Sequence, residues 1–163
     1  MRQILVFIVA VSLTVGATLA PRVLHADSMR LPITFHRQEH SLSCEIATLK
    51  MVLGIHGIDV AEAELIAKLP FDLTPRDSGR WGNPNKGFVG NIDGRMLVDG
   101  YGVYWDPIAR IGAQYAETTV LEDGSPQELA QHVAAGNPVI IWGYYGQRKA
   151  YSWLTPDGTP IKA

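Results

Sequence analysis

Cysteine is almost absent from the sequence, which has one, Cys44, among its 163 residues. Because a single cysteine forms no disulfide within its own chain, the fold does not depend on one. Charge is also scarce, with 14 lysines and arginines against 16 aspartates and glutamates and a net charge of −2. No basic stripe is present, so we expect no nucleic-acid partner. No group of His, Cys, Asp and Glu has metal-ligand spacing, so we predict neither a metal site nor a cofactor.

The first 26 residues have the pattern of a targeting segment followed by a linker. Arg2 precedes an apolar run from Ile4 to Ala20, which is long enough for a signal-peptide core or a short membrane anchor. A buried core helix is the weaker alternative, because the run begins close to Met1 and has no polar face. We therefore predict a signal peptide or anchor plus linker over 1–26 and one domain over 27–163. The domain is expected to be secreted or held at the external face of the membrane, with the apolar run as its means of attachment if it is not cleaved.

The cysteine lies where a helix is predicted to begin. Apolar residues recur after it at helical spacing, namely Ile46, Leu49, Val52 and Leu53. Ser43, or Ser41 if the helix starts earlier, is a suitable cap, and Gly54 is a suitable stop. A thiol at such a position faces the positive end of the helix dipole and unpaired N–H groups, and both favour the thiolate.

Gln38 stands six positions before Cys44. Its side-chain amide is predicted to reach back over the thiol and, with the backbone N–H of Cys44, donate to a developing oxyanion. The alternative is that Cys44 is a small buried hydrophobic residue and that Gln38 is a surface amide. We predict the first arrangement, with Cys44 as nucleophile.

A Gln, five residues and a Cys that opens a long apolar helix resemble the papain-like cysteine peptidases. The stretch from Gln38 to Leu53 is similar to exported relatives of the bacteriocin-processing (double-glycine) peptidases, family C39. The resemblance to this family continues in the residues at 87–90, 100–104 and 136–142, so it covers about Leu31 to the C-terminus. It implies a papain-like α+β fold, with N-terminal helices packed on an antiparallel sheet, and a peptide or protein substrate.

The remaining pattern places helices before strands, which agrees with an α+β fold. Three further helices are predicted. The first begins at a capping box at 59–62 and stops at Pro70. The second has Asp106 as cap and Pro107 as first residue and runs to about Tyr115, and the third begins at a capping box at 125–128 and runs to Ala135. Strands are predicted at 101–105, 118–121 and 139–142, and a hairpin from Trp153 to Ile161 with its turn at 156–158.

A long loop at 72–94 is rich in Gly, Pro, Asn and Asp, and ordered loops of this length are usually functional. Trp81, Gly87 and Phe88 are predicted to border the cleft and to hold an extended peptide through backbone hydrogen bonds. The alternative is a packed surface loop with aromatic anchors. No strand precedes and no helix directly follows its glycines, so we do not predict a phosphate site.

A general base is the part that the sequence does not supply. The resemblance implies a histidine on a downstream strand, oriented by an Asp or Asn. His56 and His132 are predicted to lie on the surface, as is His36, and a rearranged site that uses His40 is a minor alternative. We expect the chain to end before the histidine-bearing strands, so that the sheet is incomplete and the chain is catalytically silent.

The sequence therefore predicts a cysteine peptidase-like hydrolase with Cys44 and Gln38 at its centre. Two other functions use the same residues. One is an inactive peptidase-like module that binds peptides, which the missing histidine favours. The other is an amide hydrolase or acyl transferase that acts on non-peptide amides, because one nucleophile serves both substrate classes.

Overall fold

The structure is a computed structural model that describes residues 30–143 and 151–163. The predicted targeting segment at 1–26 lies outside these residues and stays a prediction. In the described part of the chain, no helix is long and apolar enough to cross a bilayer. The elements follow in the order α1 (Cys44–Ile55), α2 (Glu62–Ala67), β1 (Phe71–Asp72), β2 (Phe88–Val89), α3 (Trp105–Gly112), α4 (Pro126–Ala134), β3 (Ser152–Leu154) and β4 (Pro160–Lys162).

Helix α1 begins at Cys44, as predicted, and Ser43 occupies the N-cap position; its hydroxyl donates to Glu62 and makes no cap hydrogen bond to the helix. Its buried face is made of Ile46, Ala47, Leu49 and Leu53. The predicted stop at Gly54 is wrong, because the helix continues through Ile55. Gly57, with a φ of 73°, provides the left-handed conformation after the helix that a residue with a side chain adopts at a cost.

Helices α2 and α3 pack against α1 and enclose the main core. This core contains Leu42, Ile46, Leu49, Leu53, Val60, Leu65, Leu69, Phe88, Val103, Ile108 and Ile111. The predicted cap of α3 is wrong: the helix begins at Trp105 after Tyr104 and ends at Gly112, so Asp106 and Pro107 lie within its first turn. The capping prediction for α4 is confirmed in part, because the Ser125 hydroxyl accepts the Glu128 N–H.

Within residues 30–143 and 151–163 the strands form two separate pairs, where one antiparallel sheet beneath the helices was expected. β1 and β2 are parallel, with Phe71 opposite Phe88, whereas β3 and β4 are antiparallel, as the predicted hairpin requires. The segments at 101–104, 118–121 and 139–142 are not strands. Residues 100–103 do run beside β2, but Gly102 has a φ of 141°, outside the extended range that a regular ladder needs. The mixture of helices and small sheets keeps the α+β class.

The β3–β4 hairpin is held to the 72–94 loop by a second apolar cluster. This cluster contains Trp81, Val89, Trp153 and Ile161, and the two indole rings lie 5.5 Å apart. Trp153 Nε1 donates to the Gly82 carbonyl at 2.8 Å, so its buried polar atom is satisfied. The Trp81 N–H donates to the Leu154 carbonyl, which joins the loop to the edge of β3. The loop is therefore a packed part of the fold.

Gly87 lies where the loop enters β2 and where no side chain fits. A Cβ at this position would stand 2.5 Å from the Pro70 carbonyl oxygen. The same oxygen accepts the Phe88 N–H at 2.8 Å, next to the β1–β2 pair. Contact this close requires glycine, because the backbone of the neighbouring segment has no flexible side-chain end to move.

We expect Gly87→Ala to lower the free energy of unfolding by about 2 kcal/mol, since the added methyl group separates β2 from Pro70. Chemical denaturation followed by circular dichroism measures the change. The matched control is Gly54→Ala, where nothing lies within 4 Å of the new Cβ, and it should raise stability by about 0.5–1 kcal/mol. Equal effects of the two substitutions would contradict this account of Gly87.

Candidate functional site

Cys44 lies on the wall of a groove of about 630 Å³ at the start of α1. The residue is exposed, so the alternative of a buried hydrophobic cysteine is wrong. The preceding segment supplies most of the groove, including Gln38 and His40, and Thr48 and Met51 of α1 complete the wall beyond the cysteine. The structure thus brings the predicted nucleophile and the predicted oxyanion donor to one surface depression.

The thiol of Cys44 is held by the side chain that follows it. Sγ donates to Glu45 Oε2 at 3.2 Å, and Glu45 Oε1 accepts the Val103 N–H at 3.1 Å. Burial of the thiol, together with the charge and hydrogen bond of Glu45, raises the pKa of Cys44 to about 12. This shift is opposite to the predicted one. The N–H groups of Cys44 and Glu45 do lower the pKa, as a helix start should, but their effect is smaller.

Gln38 uses its amide to brace the turn that leads into α1. Its Nε2 donates to the carbonyl oxygens of His40 at 2.7 Å and Ser41 at 2.8 Å. An amide NH₂ has two hydrogens, so both are engaged in this structure. A role as oxyanion donor stays a prediction, and it requires Gln38 to release one of these carbonyls.

Beneath the groove, Glu62 is a buried carboxylate with several donors. It is 0% exposed, and it accepts hydrogen bonds from the Ser43 hydroxyl, from the Glu39 N–H at 3.1 and 3.2 Å, and from His36 Nε2 at 2.7 Å. Two predictions are wrong here. Glu62 does not belong to a capping box, because Ala61 is the N-cap of α2 and makes no side-chain cap. His36 is half-buried on Glu62 instead of lying free on the surface.

The hydrogen bonds decide the charge of this carboxyl. Burial alone raises the pKa of Glu62, but the donors Ser43, His36 and the Glu39 N–H outweigh it and lower the pKa below its ordinary value. Glu62 is therefore a carboxylate at neutral pH, and His36 donates to it because an ionised carboxylate only accepts. The network joins the start of α2 to Ser43, the residue directly before Cys44.

His36, Glu39 and Glu62 also offer three ligand atoms within 4.8 Å of one another, a grouping that the sequence spacing did not reveal. Both Glu62 oxygens already accept hydrogen bonds from the protein, and His36 Nε2 is one of the donors. Since these internal bonds explain every buried atom of the group, we assign it a structural role.

Glu62→Ala should lower the free energy of unfolding by about 3–5 kcal/mol, because it strips Ser43, His36 and the Glu39 N–H of a buried acceptor. The pKa of Glu62 is lowered in the folded state, so its stabilisation is full above the unfolded pKa of about 4.3 and is lost as the pH falls below it. Glu62→Gln should therefore flatten the acid limb of the stability profile. Denaturant titrations between pH 3 and 7 measure both effects.

Glu117→Ala is the control for this prediction, because Glu117 is exposed and has no hydrogen bond among the described residues. It should leave stability within about 0.5 kcal/mol of the unchanged chain. A wild-type chain whose stability is the same at pH 3.5 and pH 7 would show that Glu62 does not carry this role.

His40 is the second histidine at the groove, and its ring is oriented by a carboxylate. His40 Nδ1 lies 2.9 Å from Asp93 Oδ1, and the Leu42 N–H donates to the Ile92 carbonyl at 2.9 Å, which fixes the 91–93 loop beside the turn. His56, by contrast, caps the far end of α1, about 18 Å from Cys44 along the helix. His132 lies on α4 and does not line the groove. The pairing of His40 with Asp93 joins residues 53 positions apart, so no local sequence signal points to it.

The predicted substrate-binding residues of the loop are largely buried. Phe88 is 1% exposed and Trp81 is 3% exposed, which is the packing that the alternative expectation described. Gly87 is also buried. A role in substrate binding stays a prediction: none of the three lines the groove at Cys44, and Trp81 lines a second groove of about 410 Å³. There the Arg76 guanidinium lies over its ring, 5.2 Å from the centroid.

Comparison with known proteins adds three findings. A sequence profile of the Peptidase_C39 like family matches residues 30–158. The uncharacterized protein YvpB of Bacillus subtilis (strain 168) is 34% identical over 124 residues, which are 71% of this chain and 47% of that protein. The chain thus spans about half the length of this curated relative. A crystal structure from Bacillus anthracis, described as a C39-like peptidase, superposes with a TM-score of 0.63 at 26% identity, covering 83% of this chain and 70% of that one.

Proposed function

Since this chain belongs to the peptidase C39-like family, we propose that it carries the nucleophile half of a cysteine peptidase-like site. Cys44 would attack a peptide carbonyl, with its own N–H and the Gln38 side chain as oxyanion donors. One observation supports this above the others: an exposed thiol at the first residue of α1 shares a groove with Gln38. A family match over residues 30–158 supports the peptidase-like role, and it leaves the individual residues to experiment.

The groove has the composition expected for a peptide ligand. Phe35, 81% exposed, and Met51 present apolar surface, while Arg37 and Glu39 present charge of both signs. Such a mixture suits an extended chain whose side chains differ in polarity. Export to the cell envelope remains part of the proposal and rests on the apolar run at 4–20, which lies outside the described residues.

The nucleophile can be tested by affinity labelling with a peptidyl chloromethyl ketone. The Cys44 sulfur displaces chloride from the methylene carbon, so an S–C bond forms as the C–Cl bond breaks. Labelling should saturate with reagent concentration and should slow when a competing peptide occupies the groove. Cys44 is the chain's single cysteine. The mass of the intact labelled protein counts the labels, and sequencing of its proteolytic peptides by mass spectrometry identifies the labelled residue.

Two comparisons complete this experiment. Cys44→Ser should not be labelled, and chloroacetamide, which lacks a peptide, should react without saturation. The rate of labelling by the peptide reagent is divided by the rate for chloroacetamide, both on Cys44 and on free cysteine. If the two ratios are equal, the groove does not bind peptides as proposed.

The second candidate function is peptide binding without turnover, and two observations favour it. Burial and the Glu45 carboxylate raise the pKa of the Cys44 thiol to about 12, so the thiol is protonated at pH 7. Of the histidines in the described ranges, His36 and His40 line the groove, but the hydrogen bond of Cys44 Sγ goes to Glu45 and to neither ring. Action on non-peptide amides is a third candidate with the same nucleophile, and labelling by a non-peptide acyl reagent in preference to the peptide reagent would favour it.

We expect the 163-residue chain to turn over peptide substrates no faster than its Cys44→Ala variant. Base catalysis supplies about 10²–10⁴-fold, and in the described part of the chain this thiol is hydrogen-bonded to Glu45 instead of to a histidine and has a raised pKa. Both chains should bind a non-cleaved peptide with similar Kd. Product release from a peptide library, followed by mass spectrometry, makes the comparison.

Turnover that depends on Cys44 would contradict this expectation and would show that a base is present. His40→Gln and His56→Gln then form a matched pair, because His40 lies at the groove and His56 at the far end of α1. Loss of activity in the first variant alone would identify His40, held by Asp93, as the base.

A further inference from the structure

Glu45 connects the candidate nucleophile to the core of the domain. One carboxylate oxygen accepts the hydrogen bond of Cys44 Sγ at 3.2 Å. The other accepts the N–H of Val103, a residue that is 1% exposed, at 3.1 Å. The side chain therefore bridges a solvent-facing thiol and a buried backbone segment, and both of its oxygens are in use.

The segment opposite Glu45 is shaped to receive this carboxylate. At Gly102 a Cβ would stand 2.4 Å from Glu45 Oε1, and the φ of this residue is 141°, which disfavours any side chain. Trp142 Nε1 donates to the Val103 carbonyl at 3.1 Å, so the segment that holds Glu45 is itself fixed. The Glu45 carboxylate occupies the space beside Gly102 that a Cβ would take, and the Val103 N–H that it accepts belongs to a segment fixed by Trp142.

We propose that Glu45 is a positioning residue that keeps the Cys44 thiol protonated and turned away from attack, so that this hydrogen bond must break before the sulfur acts. The proposal rests on the proposed function, because it concerns the same nucleophile. The sulfur donates a hydrogen bond to the carboxylate in this arrangement, so it is a thiol. Because the thiolate is the nucleophilic form, a protonated sulfur does not attack a substrate. The thiol is thus accessible to solvent and at the same time unreactive.

Other ionisable groups share the groove with Cys44, and they all lie on the segment before α1. They are His36, Arg37, Glu39 and His40. His36 is engaged by Glu62 and His40 by Asp93, while Glu45 is the side chain that hydrogen-bonds to Sγ. Opposite the helix start, the 102–103 segment contributes a backbone N–H and no titratable side chain. Glu45 is therefore the group whose charge acts most directly on the sulfur.

The expected size of the effect follows from two opposing trends. Raising a thiol pKa from about 8.5 to about 12 lowers the thiolate fraction near pH 7 by roughly 3 × 10³-fold. A more basic thiolate is a better nucleophile, with a Brønsted coefficient of about 0.4–0.5, which returns roughly 30-fold. Cys44 should therefore react with a small alkylating agent on the order of 10²-fold more slowly than free cysteine at pH 7.5.

The test is the pH dependence of Cys44 alkylation by iodoacetamide in the full chain and in Glu45→Gln. The amide keeps an acceptor for Val103 and removes the charge, so the thiol titration midpoint should fall by at least one pH unit and the rate at pH 7.5 should rise at least about threefold. The midpoint should stay above that of free cysteine, because burial of the thiol persists. Glu39→Gln makes the same chemical change in the same groove without touching Sγ, and it should leave the midpoint nearly unchanged.

Circular dichroism establishes that each variant is folded before its thiol is titrated. If Glu45→Gln keeps the wild-type midpoint, or if Glu39→Gln shifts it as far, Glu45 does not have this role. If Glu45→Gln fails to fold, the unmodified chain decides the matter, since a wild-type thiol that titrates near the ordinary value overturns the proposal. Labelling by the peptidyl chloromethyl ketone tests peptide binding separately, so a failure of that experiment and a failure of this one are distinguishable.

Discussion

The buried carboxylate of Glu62 is the contact on which the candidate site depends. It is 0% exposed, yet it is stable as an anion because Ser43, His36 and the Glu39 N–H all donate to it. These donors belong to the segment before α1, whereas Glu62 opens α2. One carboxylate therefore fixes the path of the chain from His36 to Ser43 against the helical core. That path forms most of the groove and delivers Cys44 to the first turn of α1.

Aromatic packing fixes the 72–94 loop, as the Glu62 carboxylate fixes the segment before α1. Trp81 and Trp153 join the 72–94 loop to the terminal hairpin, and the Trp153 indole N–H finds an acceptor in the Gly82 carbonyl. Gly87 allows the same loop to approach Pro70 closely. A loop rich in glycine and proline is thus ordered by burial and by backbone hydrogen bonds. Trp81 and Phe88 are buried because their rings pack in the two apolar clusters of the fold.

Electrostatics at the helix start depend on distance and burial more than on the dipole. A helix N-terminus favours an anion by about 0.3–1 kcal/mol at an exposed position. Partial burial of the thiol and the Glu45 carboxylate, 3.2 Å from Sγ, together oppose a negative charge on the sulfur more strongly than the dipole favours it. A cysteine at a helix start is expected to be reactive from the sequence, but beside the Glu45 carboxylate its thiol stays protonated.

The sequence by itself determined the features that depend on neighbouring residues. These include the start of α1 at Cys44, the Ser125 cap of α4, the terminal hairpin, the α+β class and the family. Periodicity, capping and turn chemistry act over a few residues, so they can be read locally. Only the tertiary structure decided that Glu62 meets Ser43, that His40 meets Asp93 and that Glu45 reaches Val103. Such contacts join residues 19 to 58 positions apart, and their geometry depends on how the helices and loops pack around them.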